Sequence, residues 1–332
     1  FYVPLQYTNR FDFHAVTLAT PFLLFMFYFW LVKKFRWSFL FFILSLLTKE
    51  QVGLTTACMG IYMFITQNSK LKTQNYNSKL KNLKFPTAII IASVVWGGLS
   101  FLVIIPFFRG SAHFASSRYQ DINVIQTLFR QSTGDYLWNL FAPLGFLSFL
   151  SPVFLITLPE FAVNLLSQDP NMRSIVFHYT AVITPFVFIS AIYGLKLISH
   201  KNVMRFVPYV LFTAMLWFSF TRSPLPYSQE KDVYVYTYQK NADYAREWEM
   251  KLADDSIPVS ASGNVGTFLS SRRKFYYFSK YYGLADYVII RPSEIYHYQD
   301  KDALIPVYER LDRDPRFVLV DKRENFEVYK RL

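Results

Sequence analysis

Charge is scarce in this sequence. Only 17% of its 332 residues are Asp, Glu, Lys or Arg, where an ordinary soluble domain carries about a quarter. Acids are scarcest of all before Ser223, where six stand against 18 basic residues. One cysteine, Cys58, excludes an internal disulfide and any zinc set built on cysteine pairs. There is no Gly-x-Gly-x-x-Gly and no phosphate loop ending in Lys-Ser/Thr, so the common nucleotide-binding signatures are absent. No Ser/His/Asp order can be defended and no internal repeat is visible. No basic-then-apolar-then-small leader precedes the first hydrophobic stretch. The chain starts at Phe1, and the reading expects further sequence ahead of it.

Aromatic residues fill the space that charge leaves. Phe (35) and Tyr (24) are abundant, as in helices that sit in lipid with aromatic belts at the interfaces. Apolar runs near the roughly 20 residues needed to cross a bilayer recur at 15–32, 85–108, 176–195 and 203–220. Shorter runs lie at 38–48, 52–66, 136–150 and 153–167, the last two joined at Ser151-Pro152. The expectation is a polytopic α-helical membrane bundle of about eight segments over residues 1–222, with 38–48 and 52–66 meeting at a polar turn.

The net charge of +12 first suggests nucleic acid, but its position argues otherwise. From Ser223 onward 17 basic residues balance 17 acidic ones, so the whole excess lies among the apolar segments. With Phe1 placed outside, the inner loops hold eleven basic residues and the outer side seven, which fits the positive-inside rule. The stretch 67–84, with five Lys and no acid, then reads as a solvated inner loop. Nucleic acid is not expected as a partner; membrane lipid is. All six acids (Asp12, Glu50, Asp121, Asp135, Glu160, Asp169) fall toward the outer side. The positive-inside rule gives acids little weight, so a polar site on that face is the reading offered.

After Phe220 the pattern changes. Pro224 and Pro226 mark a linker, and helices over 241–252 and 303–311 alternate with strands over 257–260, 275–278, 287–290, 317–320 and 326–329. Such alternation predicts a small α/β domain over 223–332, extracytoplasmic under the orientation above. Gly263 and Gly266 read as a strand-to-helix turn.

Ionisable residues at membrane depth are costly and are functional candidates by default. Lys49-Glu50 lies between two apolar runs. It reads either as a self-neutralising pair capping a turn, or as an ammonium for phosphate that Glu50 orients. Glu160 and Asn164, spaced i, i+4, share one helix face. They are an interhelical hydrogen-bond pair or the polar wall of a cavity. Between two outer helix ends, Arg173 offers a planar fork suited to phosphate. His178 and Tyr179 follow on the same connection. Asp12 and His14 could contribute two metal ligands, but two without a third are weak. A divalent metal is possible without support, and no cofactor is evident.

These residues carry a resemblance. Phe11-Asp12-Phe13-His14, Leu47-Thr48-Lys49-Glu50, Leu158-Pro159-Glu160 with Asn164-Leu165-Leu166-Ser167, Arg173-Ser174, His178-Tyr179, and in the tail Val259-Ser260-Ala261-Ser262-Gly263-Asn264, Arg272-Arg273 and Ala285-Asp286-Tyr287-Val288 together resemble the prokaryotic membrane family DUF2079. That family is similar to the C-type (GT-C) glycosyltransferases, which take a sugar from a polyprenyl-phosphate carrier at the outer face of the inner (plasma) membrane. The resemblance implies a GT-C-like bundle and a phosphate role for Lys49. It places the catalytic carboxylate in a loop ahead of Phe1. A non-catalytic scaffold, a binder of lipid-linked sugar and a transporter stand as alternatives.

Overall fold

A computed structural model describes residues 1–70, 76–110, 118–120, 122–198, 201–231, 240–297 and 301–332. Residues 71–75 of the basic stretch and Asp121 lie outside the described residues, as do the side chains of Lys70, Lys79, Lys81 and Lys201. The chain divides into two compact units, Phe1–Asp232 and Val233–Leu332.

The first unit is helical. Helix α1 (Val3–Arg10) opens at Pro4, where the missing N–H is no loss. A 3₁₀ turn, Ala15–Leu18, leads into α2 (Ala19–Leu31). Lys33, at φ 59°, takes the left-handed conformation that reverses the chain into α3 (Phe35–Leu46). Next come α4 (Val52–Lys70) and α5 (Tyr76–Leu99). The expected loop 67–84 is therefore helical on both sides of residues 71–75, because its Lys, Leu, Asn and Gln residues tolerate a helix. A π-helical segment, Ser100–Ile104, joins α5 to α6 (Ile105–Arg109). Then follow α7 (Val124–Leu128), capped by the Asn123 side chain, and α8 (Gln131–Phe141).

Two expected helices are broken. The run 136–150 stops at Phe141, because Pro143 lacks a donor and Gly145 and Phe146 both sit at φ 57°. The run 153–167 is 3₁₀ over Pro152–Thr157 and becomes α9 only over Leu158–Leu165. Helices α10 (Thr184–Leu197) and α11 (Lys201–Arg222) complete the unit. Among the described residues one helix, Leu83–Arg109, is long and apolar enough to cross a bilayer. The 14-residue α10 spans about 21 Å, short of a core of about 30 Å. Helix length alone thus does not carry eight crossings.

Packing is organised around two apolar cores. Leu23, Met26, Phe42, Met59, Ile89 and Phe186 centre one; Tyr136, Leu140, Phe141, Ile183 and Val187 centre the other. Helix α10 contributes to both, and Gly194 permits its approach to the 147–150 turn, since a Cβ there would lie 2.1 Å from the Leu147 carbonyl oxygen. In contrast, Val94, Leu102, Phe107 and Phe108 on the long helix are all more than half exposed. An apolar surface of that extent needs a non-aqueous neighbour.

The second unit is a five-stranded sheet with helices on both faces. Its elements are α12 (Lys240–Lys251), β1 (Val259–Ala261), α13 (Gly263–Leu269), β2 (Phe275–Tyr277), β3 (Tyr287–Ile290), α14 (Pro292–His297), α15 (Lys301–Asp312), β4 (Phe317–Arg323) and β5 (Phe326–Arg331). The order is β2-β1-β3-β5-β4; β1, β2 and β3 are parallel, while β5 runs antiparallel to both β3 and β4. Alternation along the strands sends Val259, Ala261 and Ile289 to α12 and α13, and Val288 and Ile290 to α14 and α15. Gly266 lets α13 lie close on the sheet, because a Cβ there would meet the Phe275 ring at 2.9 Å.

Candidate functional site

Five chain segments meet around Lys49. Helix α3 ends because Ser45 and Thr48 turn their hydroxyls back on the carbonyls of Phe42 and Ser45, both at 2.7 Å. Trp96 Nε1 on α5 donates to the Leu46 carbonyl at 3.1 Å and pins the turn. The first amides of α4 donate to the carbonyls of Lys49, Glu50 and Gln51. Lys49, thus held and half-buried, sets its Nζ 5.7 Å from the centroid of the Tyr179 ring, within cation–π reach. Glu50, Glu160 and Arg118 are the charges that act on it.

Helix α9 supplies the wall. Pro159 starts it and places Glu160 in its first turn, where the helix dipole favours a carboxylate. Glu160 is 1% exposed; its Oε1 accepts from Gln51 Nε2, and its Oε2 is buried with no partner among the described residues. One turn later Asn164, fully buried, donates from Nδ2 to the Tyr179 carbonyl at 3.0 Å and the Tyr136 hydroxyl at 3.1 Å. The Tyr179 carbonyl can only accept, so the amide orientation is fixed. That leaves Asn164 Oδ1 buried and, among the described residues, unpartnered.

The other segments close the site. His178 and His14 stack with ring centroids 4.0 Å apart, and among the described residues the buried His178 Nδ1 has no partner. Tyr119 donates its hydroxyl to the Val163 carbonyl at 3.0 Å. Arg118 pairs with Asp169 at 3.3 Å, and its carbonyl accepts from Gln168 N at 2.8 Å. The turn at 118–119 therefore braces α9 and the connection that follows it.

Of the residues singled out in the sequence, Lys49, Glu50, Glu160, Asn164, His178, Tyr179 and His14 come together. Arg173 does not. It is buried, with Nη1 donating to the carbonyls of Leu165 and Ser167. It thereby fills acceptors left open at the C-terminal end of α9. Asp12 is exposed, and only its main-chain oxygen reaches His14, 2.8 Å from Nδ1. Among the described residues no three His, Cys, Asp or Glu side chains converge as a metal would require.

Sequence reasoning missed Gln51, Tyr136, Arg118 and Tyr119. Gln51 adjoins Lys49-Glu50 and was within reach of the same argument. Tyr136 reads as one more aromatic of an apolar run, and the 118–119 turn becomes significant only through contacts some 50 positions away. A cleft of about 300 Å³, lined by Asn123, Gln126, Arg130, Ser167 and Gln168 among others, opens beyond the end of α9.

Chemically, the cluster offers one ammonium and three buried atoms that lack partners among the described residues. Glu160 Oε2 and Asn164 Oδ1 accept; His178 Nδ1 accepts in the neutral tautomer that protonates Nε2. Buried polar atoms without partners are uncommon in folded proteins and call for an explanation. A ligand rich in hydroxyl groups would supply the missing donors, and Lys49 suits an adjacent anionic oxygen.

A family model described as Predicted membrane protein (DUF2079) matches residues 3–327. No curated protein and no solved structure matches the chain.

Proposed function

We propose, from the premise that this chain belongs to the DUF2079 family of predicted membrane proteins, that it is a polytopic, GT-C-like glycosyltransferase using a sugar carried on a polyprenyl phosphate. The short apolar helices would sit within or across the bilayer beside Leu83–Arg109. The inner membrane, with the second unit on its outer side, is the setting that the basic-residue bias supports.

One observation carries the reading: Lys49 lies over the Tyr179 ring and interacts electrostatically with Glu160 and His178, while Glu160 Oε2, His178 Nδ1 and Oδ1 of Asn164, the side chain that holds the Tyr179 carbonyl, are buried with no partner among the described residues. In the proposed reaction an acceptor hydroxyl oxygen attacks the anomeric carbon. The bond from that carbon to the phosphate oxygen breaks, and the polyprenyl phosphate leaves with the electron pair. Lys49 stabilises the charge that develops there. Glu160, Asn164 and His178 hold sugar hydroxyls, with Glu50 and Tyr179 orienting Lys49. The acceptor proton passes to the leaving phosphate, and no residue of the cluster is assigned as a general base. Arg173, whose Nη1 is held by main-chain carbonyls at the end of α9, is given no phosphate role in this reading.

The transporter reading needs helices unwound around a substrate site and repeated halves. The unwound stretch 142–157 does not fit, because Ser148, Ser151 and Thr157 bond main-chain atoms within the unit. A scaffold would leave the unpartnered atoms unused. The test is sugar transfer by full-length protein in nanodiscs containing polyprenyl-phosphate-linked sugars. Lys49→Ala should lower turnover by about 10²–10³. Undiminished transfer by that variant would overturn the assignment.

A further inference from the structure

The second unit contains a crevice that the reading above does not use. The chain leaves β1 through α13 on one face of the sheet and returns to β2. It leaves β3 through α14 and α15 on the opposite face. Strands β1 and β3 are adjacent and parallel, so their C-terminal loops diverge to opposite faces. In open α/β sheets this divergence creates a crevice in which ligands bind.

A cavity of about 370 Å³ lies at this place. Its size falls in the range of small-molecule sites. Its polar lining is Asn241, Asn264, Thr267 and Arg291, and Phe268 gives it an apolar wall. The two loops that form its floor are fastened together: Arg291 N donates to Ser262 Oγ at 2.9 Å, and Asn264 N donates to Glu294 Oε2 at 3.3 Å. The floor is thus rigid. Two lining atoms, Asn241 Oδ1 and Arg291 Nε, are buried and lack partners among the described residues, one an acceptor and one a donor.

The charge of the crevice selects the ligand. Glu294, 8% exposed, lies 3.2 Å from Arg291 Nη1 and accepts from Asn264 N. The position a phosphate would take in a nucleotide-binding fold is occupied by the protein's own carboxylate, and the pair is neutral. What remains is two amide side chains, the Thr267 hydroxyl, which donates to the Asn264 carbonyl at 2.7 Å and is left to accept, one guanidinium edge, and the Phe268 ring, with the Arg246 guanidinium over one face 5.9 Å from its centroid. Those groups both donate and accept and offer a flat apolar face, as the edges and C–H face of a pyranose require.

We infer that the β1/β3 crevice of the second unit binds a neutral saccharide, held by Asn241, Asn264, Thr267 and Arg291 against Phe268. The inference rests on residues separate from the Lys49 cluster and does not depend on the chemistry proposed there.

The test is saturation-transfer NMR on the full chain in nanodiscs, with glucose, galactose, mannose and N-acetylglucosamine, and with inorganic phosphate and AMP as anionic probes. At least one sugar should receive saturation. Asn264→Ala and Thr267→Val alter exposed side chains, and Ala242→Trp fills the cavity. Each should weaken the sugar about tenfold, the loss of one hydrogen bond or of the space itself. Lys49→Ala should leave it unchanged. Thermal melting of each variant identifies any that fail to fold, and the remaining ones decide. Saturation of phosphate or AMP but of no sugar would overturn the inference, as would no saturation of any probe. So would sugar binding that is lost with Lys49→Ala and survives the three crevice variants, because it would place the sugar at the other site. Loss of transfer in Lys49→Ala without loss of this binding separates the fate of the two proposals.

Discussion

Two buried carboxylates in this chain have opposite surroundings. Glu327, 3% exposed, takes hydrogen bonds from the hydroxyls of Tyr308 at 2.8 Å and Tyr329 at 3.0 Å and pairs with Lys322 at 2.8 Å. Its polar capacity is used within the fold. Glu160 has one such partner and an open oxygen. A structural carboxylate and one kept for a ligand differ in this way, and substitution should separate them. Glu160→Gln should preserve the melting temperature but lower affinity for a sugar-bearing lipid several-fold, checked by titration alongside melting. Asn164→Ala should act differently. It strands the Tyr179 carbonyl and removes the partner of the Tyr136 hydroxyl, and unfolding should show a loss of about 1–3 kcal/mol. At this scale the sequence was informative wherever a polar residue interrupted an apolar run: Lys49, Glu50, Glu160, Asn164 and His178 stand out without any structure. Tyr136 and Tyr119 do not, because a tyrosine among aromatics carries no local sign of its partner. The guanidinium of Arg173 shows the converse, since a side chain suited to phosphate serves equally to close a helix end.

Helix ends and helix contacts decide where the cluster sits. Arg173 holds the last carbonyls of α9, the helix that carries Glu160 and Asn164. Arg173→Ala should therefore lower stability by about 1–3 kcal/mol while leaving ligand affinity of the folded protein unchanged; a selective loss of affinity would return Arg173 to the phosphate. Helix α10 meets the 147–150 turn through Gly194, where an added Cβ would overlap the Leu147 carbonyl. A main-chain atom cannot move aside as a side chain can, so Gly194→Ala should destabilise by about 1–3 kcal/mol, read as a lower melting temperature in detergent. Most elements of the second unit were legible: the strand at 287–290 and the helices near 241 and 303 follow from period-two and period-3.6 patterns between turn residues, while the helix Pro292–His297 is too short to show a period and β4 runs on to Arg323, past the expected 317–320. In the first unit the apolar runs were legible but their continuity was not. Uniformly apolar sequence has no period with which to announce that Gly145 and Phe146 turn left-handed or that the chain over 152–157 is 3₁₀.

For the molecule as a whole, the two units obey different solvents. The second is charge-balanced, and its exposed ion pairs make it sensitive to acid. Hydrogen bonds from Arg323 and Lys251 hold the Glu247 carboxyl down to about 2, below the ordinary range near 4.3. The Arg316 guanidinium likewise holds Asp314 well below its usual value. Depressed carboxylate values mean that the unfolded chain binds protons more readily, so their stabilisation is complete above about pH 4.5 and is lost as pH falls toward 2. Melting followed by the fluorescence of Trp248, whose Nε1 donates to Asp321 at 2.8 Å, should show the decline across that window and little change from pH 6 to 8. The first unit instead exposes apolar helix surface, and near Lys49 it holds a cluster of buried polar atoms that have no partner among the described residues. The claim that this cluster is a lipid-phosphate sugar site is tested most directly by titrating the full-length protein in nanodiscs with a polyprenyl-phosphate sugar, comparing it with Lys49→Ala and Glu160→Gln. The account predicts saturable binding that weakens at least tenfold with Lys49→Ala and less with Glu160→Gln. Absent binding, or binding indifferent to both substitutions, would contradict it.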